Sequence, residues 1–209
     1  MLAAVLFPVR TLGQISWNFG TVSPGAASPS SGTPVSNISS VSDLTSGNTT
    51  ATLLSTTSAS AGYTGASGSY NAGAIPVAGS LITANGGSGH FQFTFTPAAG
   101  YSVFISKIDF GTRPTGTGST VYNIRTDRDS YVIDIASGSI LANSAWALKS
   151  NTLTCTGPPG VAIIFRIYGS AGTGTSSSVN WRVDDLAVTA TATAGGGGGF
   201  TPTFTTVKV

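Results

Sequence analysis

A pair of carboxylates facing each other across a sugar ring is the first chemistry to look for. In this sequence only aspartates could supply it: the seven acidic residues are all Asp, with no Glu. Cleaving a glycosidic bond takes one carboxyl with a raised pKa to protonate the leaving oxygen and a second on the other side of the ring. Asp109, Asp127, Asp129, Asp134 and the adjacent Asp184 and Asp185 are the candidates, and nothing in their spacing selects a pair. Nucleophilic catalysis would need a base. The single histidine, His90, closes a Gly-Ser-Gly-His stretch just ahead of an apolar strand pattern and reads as a solvated loop residue, and there is no Gly-x-Ser-x-Gly elbow. The glycines at 195–199 are followed by no Lys-Ser/Thr, so they are not a phosphate loop. Cys155 stands alone, which excludes an internal disulfide and a Cys-based zinc cluster; in a Thr-rich strand it reads as a small buried apolar residue. The chain is therefore expected not to be an enzyme.

Binding chemistry has more support. Sugars are held by aromatic faces together with planar polar groups, and Tyr63, Tyr70, Tyr122, Tyr131 and Trp146 lie in or beside polar segments. Tyr122, Tyr131 and Trp146 are taken as candidate ligand contacts, with Arg125, Asp127, Arg128 and Asp129 as a polar rim. Each aromatic also has a core reading, and Trp17 and Trp181 are assigned to the core. The charges at 125–129 also read as a self-paired, solvated hairpin turn, which contributes little to stability.

The elements that must position these groups are strands. Only 8% of the 209 residues are charged, against about 25% in an average soluble domain. Gly, Ser and Thr make up more than a third of the chain, so solubility rests on hydroxyls and amides. With no Glu, three Lys and one Met, helices have little to draw on, while Thr, β-branched and aromatic residues suit a pleated surface. The net charge is +2 and the basic residues are scattered, so no phosphate-tracking stripe forms and nucleic acid is not expected as a partner. No transmembrane span is expected either.

Phe91, Phe93 and Phe95 alternate with polar residues in a half-buried strand that ends at Pro97-Ala98-Ala99-Gly100. From Tyr101 to Phe110 the apolar phase shifts, which predicts a bulge near Lys107. Further strands are predicted at 121–125 and 131–135, and a central strand buried on both faces at 161–168. In the closing strand, 179–188, the phase slips at the Asp pair. Residues 17–84 read as short strands and long loops. The expected architecture is an all-β, two-sheet sandwich of jelly-roll type over residues 15–194. Residues 1–14 read as a secretory signal or, if retained, as a strand over Leu2–Val9. Residues 195–199 form a Gly linker, and 200–209 a strand-like tail.

At Phe-Thr-Phe-Thr-Pro-Ala-Ala-Gly-Tyr-Ser-Val-Phe-Ile-Ser-Lys-Ile-Asp-Phe-Gly-Thr-Arg (93–113), Phe-Arg-Ile-Tyr-Gly (165–169) and Asn-Trp-Arg-Val-Asp-Asp-Leu-Ala-Val (180–188) the chain resembles a β-sandwich module of secreted and surface-anchored, adhesin-like bacterial proteins. The resemblance runs from about Ile15 to Ala190 and implies exposure at the cell surface beside adhesion or carbohydrate-handling modules. The closing strand also resembles that of jelly-roll carbohydrate-binding modules, in which an aspartate helps hold a structural calcium; only Asp184 and Asp185 carry over. No cofactor is expected beyond that calcium.

Two functions follow as expectations. One is a secreted or cell-surface structural or adhesive subunit whose partners are other copies of itself or surface proteins, polymerising into filaments as Phe200, Phe204, Val207 and Val209 of one chain pair with an edge of the next. The other is a glycan-binding module.

Overall fold

The computed structural model describes residues 13–17, 19, 29–30, 35–49, 54–55, 59–141, 145–174 and 178–195. Most of the segment read as a signal, and the tail with Phe200, Phe204, Val207 and Val209, lie outside the described residues.

In chain order the strands are β1 (Gly13–Trp17), β2 (Pro29–Ser30), β3 (Ile38–Val41), β4 (Thr45–Gly47), β5 (Leu54–Ser55), β6 (Asn71–Ala74), β7 (His90–Pro97), β8 (Tyr101–Pro114), β9 (Val121–Thr126), β10 (Ala136–Ser139), β11 (Ala147–Thr156), β12 (Ile163–Ser170) and β13 (Trp181–Ala194). Among the described residues the only helical piece is a 3-10 turn, Asp127–Asp129. All pairings are antiparallel, in two sheets. One runs β11-β8-β13-β1-β2, with β6 also on β13 and β5 on β6; the other runs β10-β9-β12-β7-β3, with β4 also on β7. The chain is an all-β two-sheet sandwich, as its alternation predicts.

The core lies between the sheets because each strand turns its apolar set inward. Phe91, Phe93 and Phe95 have no exposed surface, nor has Phe165 opposite them on β12. Phe93 stacks on Phe165 at 5.3 Å, and Trp17 reaches Phe93 from the other sheet at 4.9 Å. Such ring pairs contribute about 0.5–1.5 kcal/mol each beyond the area they bury. Trp181 packs on Phe91 at 4.9 Å and donates its indole N–H to the Thr112 hydroxyl, so its polar atom is satisfied inside the core.

The bulge predicted near Lys107 is present, and a second bulge accounts for the phase slip at the Asp pair. On β8 the partner of Thr189 is Lys107 and the partner of Ala190 is Ile105, so Ser106 is the extra residue. On β13, Asp184 pairs with Gly111 and Ala187 with Asp109, leaving Asp185 and Leu186 opposite Phe110. β6 pairs with β13 at 181–183, and β1 pairs with the same edge at 187–190. The edge of β13 is therefore open at 184–186, and the loop before β6 enters there.

Other expectations are corrected. Residues 131–135 form no strand: Ser130 and Tyr131 both have positive φ, 59° and 61°, so the chain turns at that point. β12 is central, between β9 and β7, but it begins at Ile163, with Val161 exposed. Its Arg166 is only half-buried, so the strand is not apolar on both faces.

Candidate functional site

Asp185 is the hub. The bulge puts it at φ 48°, a left-handed conformation that Asp tolerates better than most residues. Its carboxylate then meets the loop at 60–68. Oδ2 accepts from the Ser60 hydroxyl at 2.7 Å and the Tyr63 hydroxyl at 2.5 Å, and Oδ1 accepts from the Ser67 hydroxyl at 2.7 Å. The Ser60 N–H donates to Oδ2 of Asp184 at 3.3 Å, and the Asp185 N–H donates to Oδ1 of Asp184 at 2.8 Å. Tyr63 lies so close to β8 that a Cβ at residue 111 would collide with its hydroxyl, so the glycine at 111 permits the approach. Burial, and then the Asp185 acceptor, push the Tyr63 pKa up. Asp184 has no exposed surface; burial and the neighbouring Asp185 charge raise its pKa to about 7.

This loop walls a cleft of about 470 Å³ over the outer face of the larger sheet. Gln14 and Ser16 of β1, Asp109 of β8 and Ala187 of β13 lie along the sheet side, Tyr63, Thr64 and Ser67 on the loop side, and Leu148 of β11 at the rim. Two carboxylates, Asp109 and Asp185, thus face one cleft. Asp109 Oδ2 is paired with Lys107 at 2.7 Å, and its Oδ1 has no hydrogen-bond partner among the described residues. The volume falls within the roughly 300–1,000 Å³ of small-ligand sites.

The residues singled out in the sequence as ligand contacts lie elsewhere. Tyr122 is buried and donates to Asn151 Oδ1 at 2.8 Å. Tyr131 is half-buried beneath the Arg166 guanidinium, 3.9 Å from its ring centre. Trp146 is half-buried at the start of β11. Arg125 pairs with Asp134 at 2.5 Å and donates to the Tyr131 carbonyl at 2.8 Å. Arg128 pairs with Asp127 and also donates to the Ala162 carbonyl. Asp129 accepts the N–H groups of Val132 and Ile133. Arg125 and Tyr131 do come together, as do Asp127 and Arg128, but their polar atoms tie the turn down, and none of the seven lines the cleft.

His90 is not a solvated loop residue. It opens β7, packs at a tilt against Tyr168 at 4.9 Å and fills the space over Gly47; burial, followed by the Arg166 charge, lowers its pKa to about 4. Cys155 is buried, and desolvation pushes its thiol up to about 12, so it is inert as a nucleophile.

The Asp pair does not suit calcium as it is arranged. Calcium takes roughly six to eight oxygen ligands. Here the four carboxylate oxygens accept hydrogen bonds, two of them from backbone N–H groups that cannot ligate a cation. No group of three or more His, Cys, Asp or Glu side chains gathers among the described residues to hold a metal.

No protein family and no curated protein matches the chain. Among solved structures it is similar to the enzymatically active domain of tailspike protein 4 of bacteriophage CBA120, at 16% identity and a TM-score of 0.32, over 89% of this chain and 20% of that one. The chain thus spans about a fifth of that protein's length, and at this level of likeness no residue or role carries across. One expectation is overturned nonetheless. The chain was expected not to be an enzyme, but the fold brings two carboxylates, Asp109 and Asp185, to one cleft, so the exclusion of catalysis does not stand.

Proposed function

We propose that this chain is an extracellular β-sandwich module that adheres to glycans, and that it takes a neutral oligosaccharide into the cleft between the loop at 60–68 and the larger sheet. The observation that carries the reading is the set of groups brought to that one cleft: the Tyr63 ring, the planar Asp109 and Asp185 carboxylates, the Gln14 amide and the hydroxyls of Ser16, Thr64 and Ser67. Sugars bind to such sets, with an aromatic face against their C–H groups and planar polar side chains bridging neighbouring hydroxyls. Two carboxylates disfavour an acidic sugar, and the nearby Lys107 is already paired with one of them. The low charge and the Ser, Thr and Gly content suit a protein displayed outside the cell.

The test is a glycan panel with neutral, uronic-acid and sulfated members, probed with the full chain and with the exposed-rim variants Gln14→Ala and Leu148→Asp. Neutral glycans should be retained by the full chain and weakened at least about tenfold by each variant, a loss of some 1.4 kcal/mol. A panel with no binder, or binding unchanged in both variants, overturns the reading. Product analysis after incubation with the best binder decides whether Asp109 and Asp185 also cut the chain they hold.

A further inference from the structure

Among the described residues one edge strand is long and unprotected. Of the other outer strands, β2 and β5 have two residues each, with Pro29 on β2, β10 has four, and β3 and β4 have four and three. Short strands and prolines are the usual protection of a sheet edge. β11 has neither: it runs for ten residues, Ala-Leu-Lys-Ser-Asn-Thr-Leu-Thr-Cys-Thr, with one charge and no proline. It pairs with β8 alone, so among the described residues its outward row of N–H and C=O groups has no backbone partner.

We propose that residues 200–209 of the same chain dock on this edge as an added antiparallel strand. Direction is the first support. β13 is antiparallel to β8 and β8 to β11, so a chain that leaves the end of β13 and turns back runs antiparallel to β11. The exit point is the second. Gly195 donates to the Gly100 carbonyl at 2.7 Å, and a Cβ placed on it would press on Pro159, in the connection that follows β11. The same connection runs beside β8, through bonds from Gly157 to Val103 and from Gly160 to Tyr101.

Reach is the third support. A strand outside β11 lies three inter-strand spacings from β13, about 15 Å. Five extended residues, the length of the glycine run at 195–199, reach at most ~17 Å, enough to cross. The tail itself, Phe-Thr-Pro-Thr-Phe-Thr-Thr-Val-Lys-Val, is rich in aromatic and β-branched residues. Its proline lacks an N–H, which an outermost strand tolerates. Entering beside Thr156, the tail runs toward Leu148, so its last residues come near the rim of the cleft.

The test is hydrogen exchange on the full-length protein and on the full-length variant Phe204→Asp/Val207→Asp, at two concentrations, with solution mass measured alongside. The expected result is a monomer whose 147–156 amides exchange about tenfold or more slowly than in the variant, independent of concentration, with the rest of the sandwich unchanged. Equal exchange at 147–156 in both proteins overturns the proposal, as does a difference spread over both sheets. Protection that rises with concentration, together with a multimeric mass, also overturns it and places the tail on a neighbouring copy, as strand exchange into filaments requires.

Discussion

Asp184 and Asp185 show what one extra residue in a strand does to two like side chains. Asp184 keeps the strict alternation, lying opposite Gly111 on the outer face, and is fully buried because the loop at 60–68 covers it; the extra residue brings the Asp185 carboxylate to the same loop. The phase slip was readable in the sequence, because Leu186 and Val188 resume the apolar set one step late. Which aspartate is buried was not, because that depends on how the loop at 60–68 covers the bulge. The consequence is a pH dependence. The folded-state pKa of Asp184, about 7, lies above its ordinary value of 3.8, so the folded protein holds the proton more tightly than the unfolded chain. This contribution to stability is fully present below the ordinary value and is lost as pH rises through about 7. The loss is about 1.4 kcal/mol for each pH unit over which only the folded form keeps the proton. Thermal melts of the wild type should fall between pH 5 and pH 8, while those of Asp184→Asn, which is neutral throughout, should stay nearly flat. Parallel curves for the two proteins would show that Asp184 does not hold its proton in the fold.

At the scale of elements, the site exists because β6 and β1 leave a gap on β13 and the loop at 60–68 fills it. Gly111 sets how deeply the loop can seat. Gly111→Ala should push the Tyr63 hydroxyl off Asp185, removing a hydrogen bond to a carboxylate worth about 1.5–3 kcal/mol. At about 2–4 °C per kcal/mol for a chain of this size, calorimetry should see the change. Tyr63→Ala in the Gly111→Ala background should destabilise far less than it does alone, because the two positions share one contact; strictly additive losses would mean that the glycine has another role. The strands around Phe91–Phe95, Tyr101–Phe110 and 121–126 were legible because their alternation is strong. The loop at 60–68 was not, because its work is done by Ser60, Tyr63 and Ser67, residues that look like any others in a Ser- and Gly-rich stretch. The lone aromatic Tyr63 was the available signal. The charged run at 125–129 drew the eye instead, and its charges prove to be spent on the turn itself.

For the whole molecule, an all-β sandwich with few charges places its polar recognition groups on sheet faces and in the loops that lean on them. The larger sheet has a walled face on which Asp109 Oδ1 is without a hydrogen-bond partner among the described residues, whereas the polar groups of the smaller sheet around Arg125, Tyr131 and Arg166 satisfy one another. The all-β class was readable from composition alone. The location of the cleft was not, because it joins residues 14, 63, 109, 148 and 185, which only the sheet order brings together. The most direct test is to map the amide chemical-shift changes caused by the strongest neutral glycan of the panel. The changes should cluster at Gln14, Ser16, Tyr63–Ser67, Asp109, Leu148 and Asp185–Ala187. Changes centred on Arg125, Tyr131 and Arg166, or none at saturating glycan, would contradict the assignment of this cleft as the binding site.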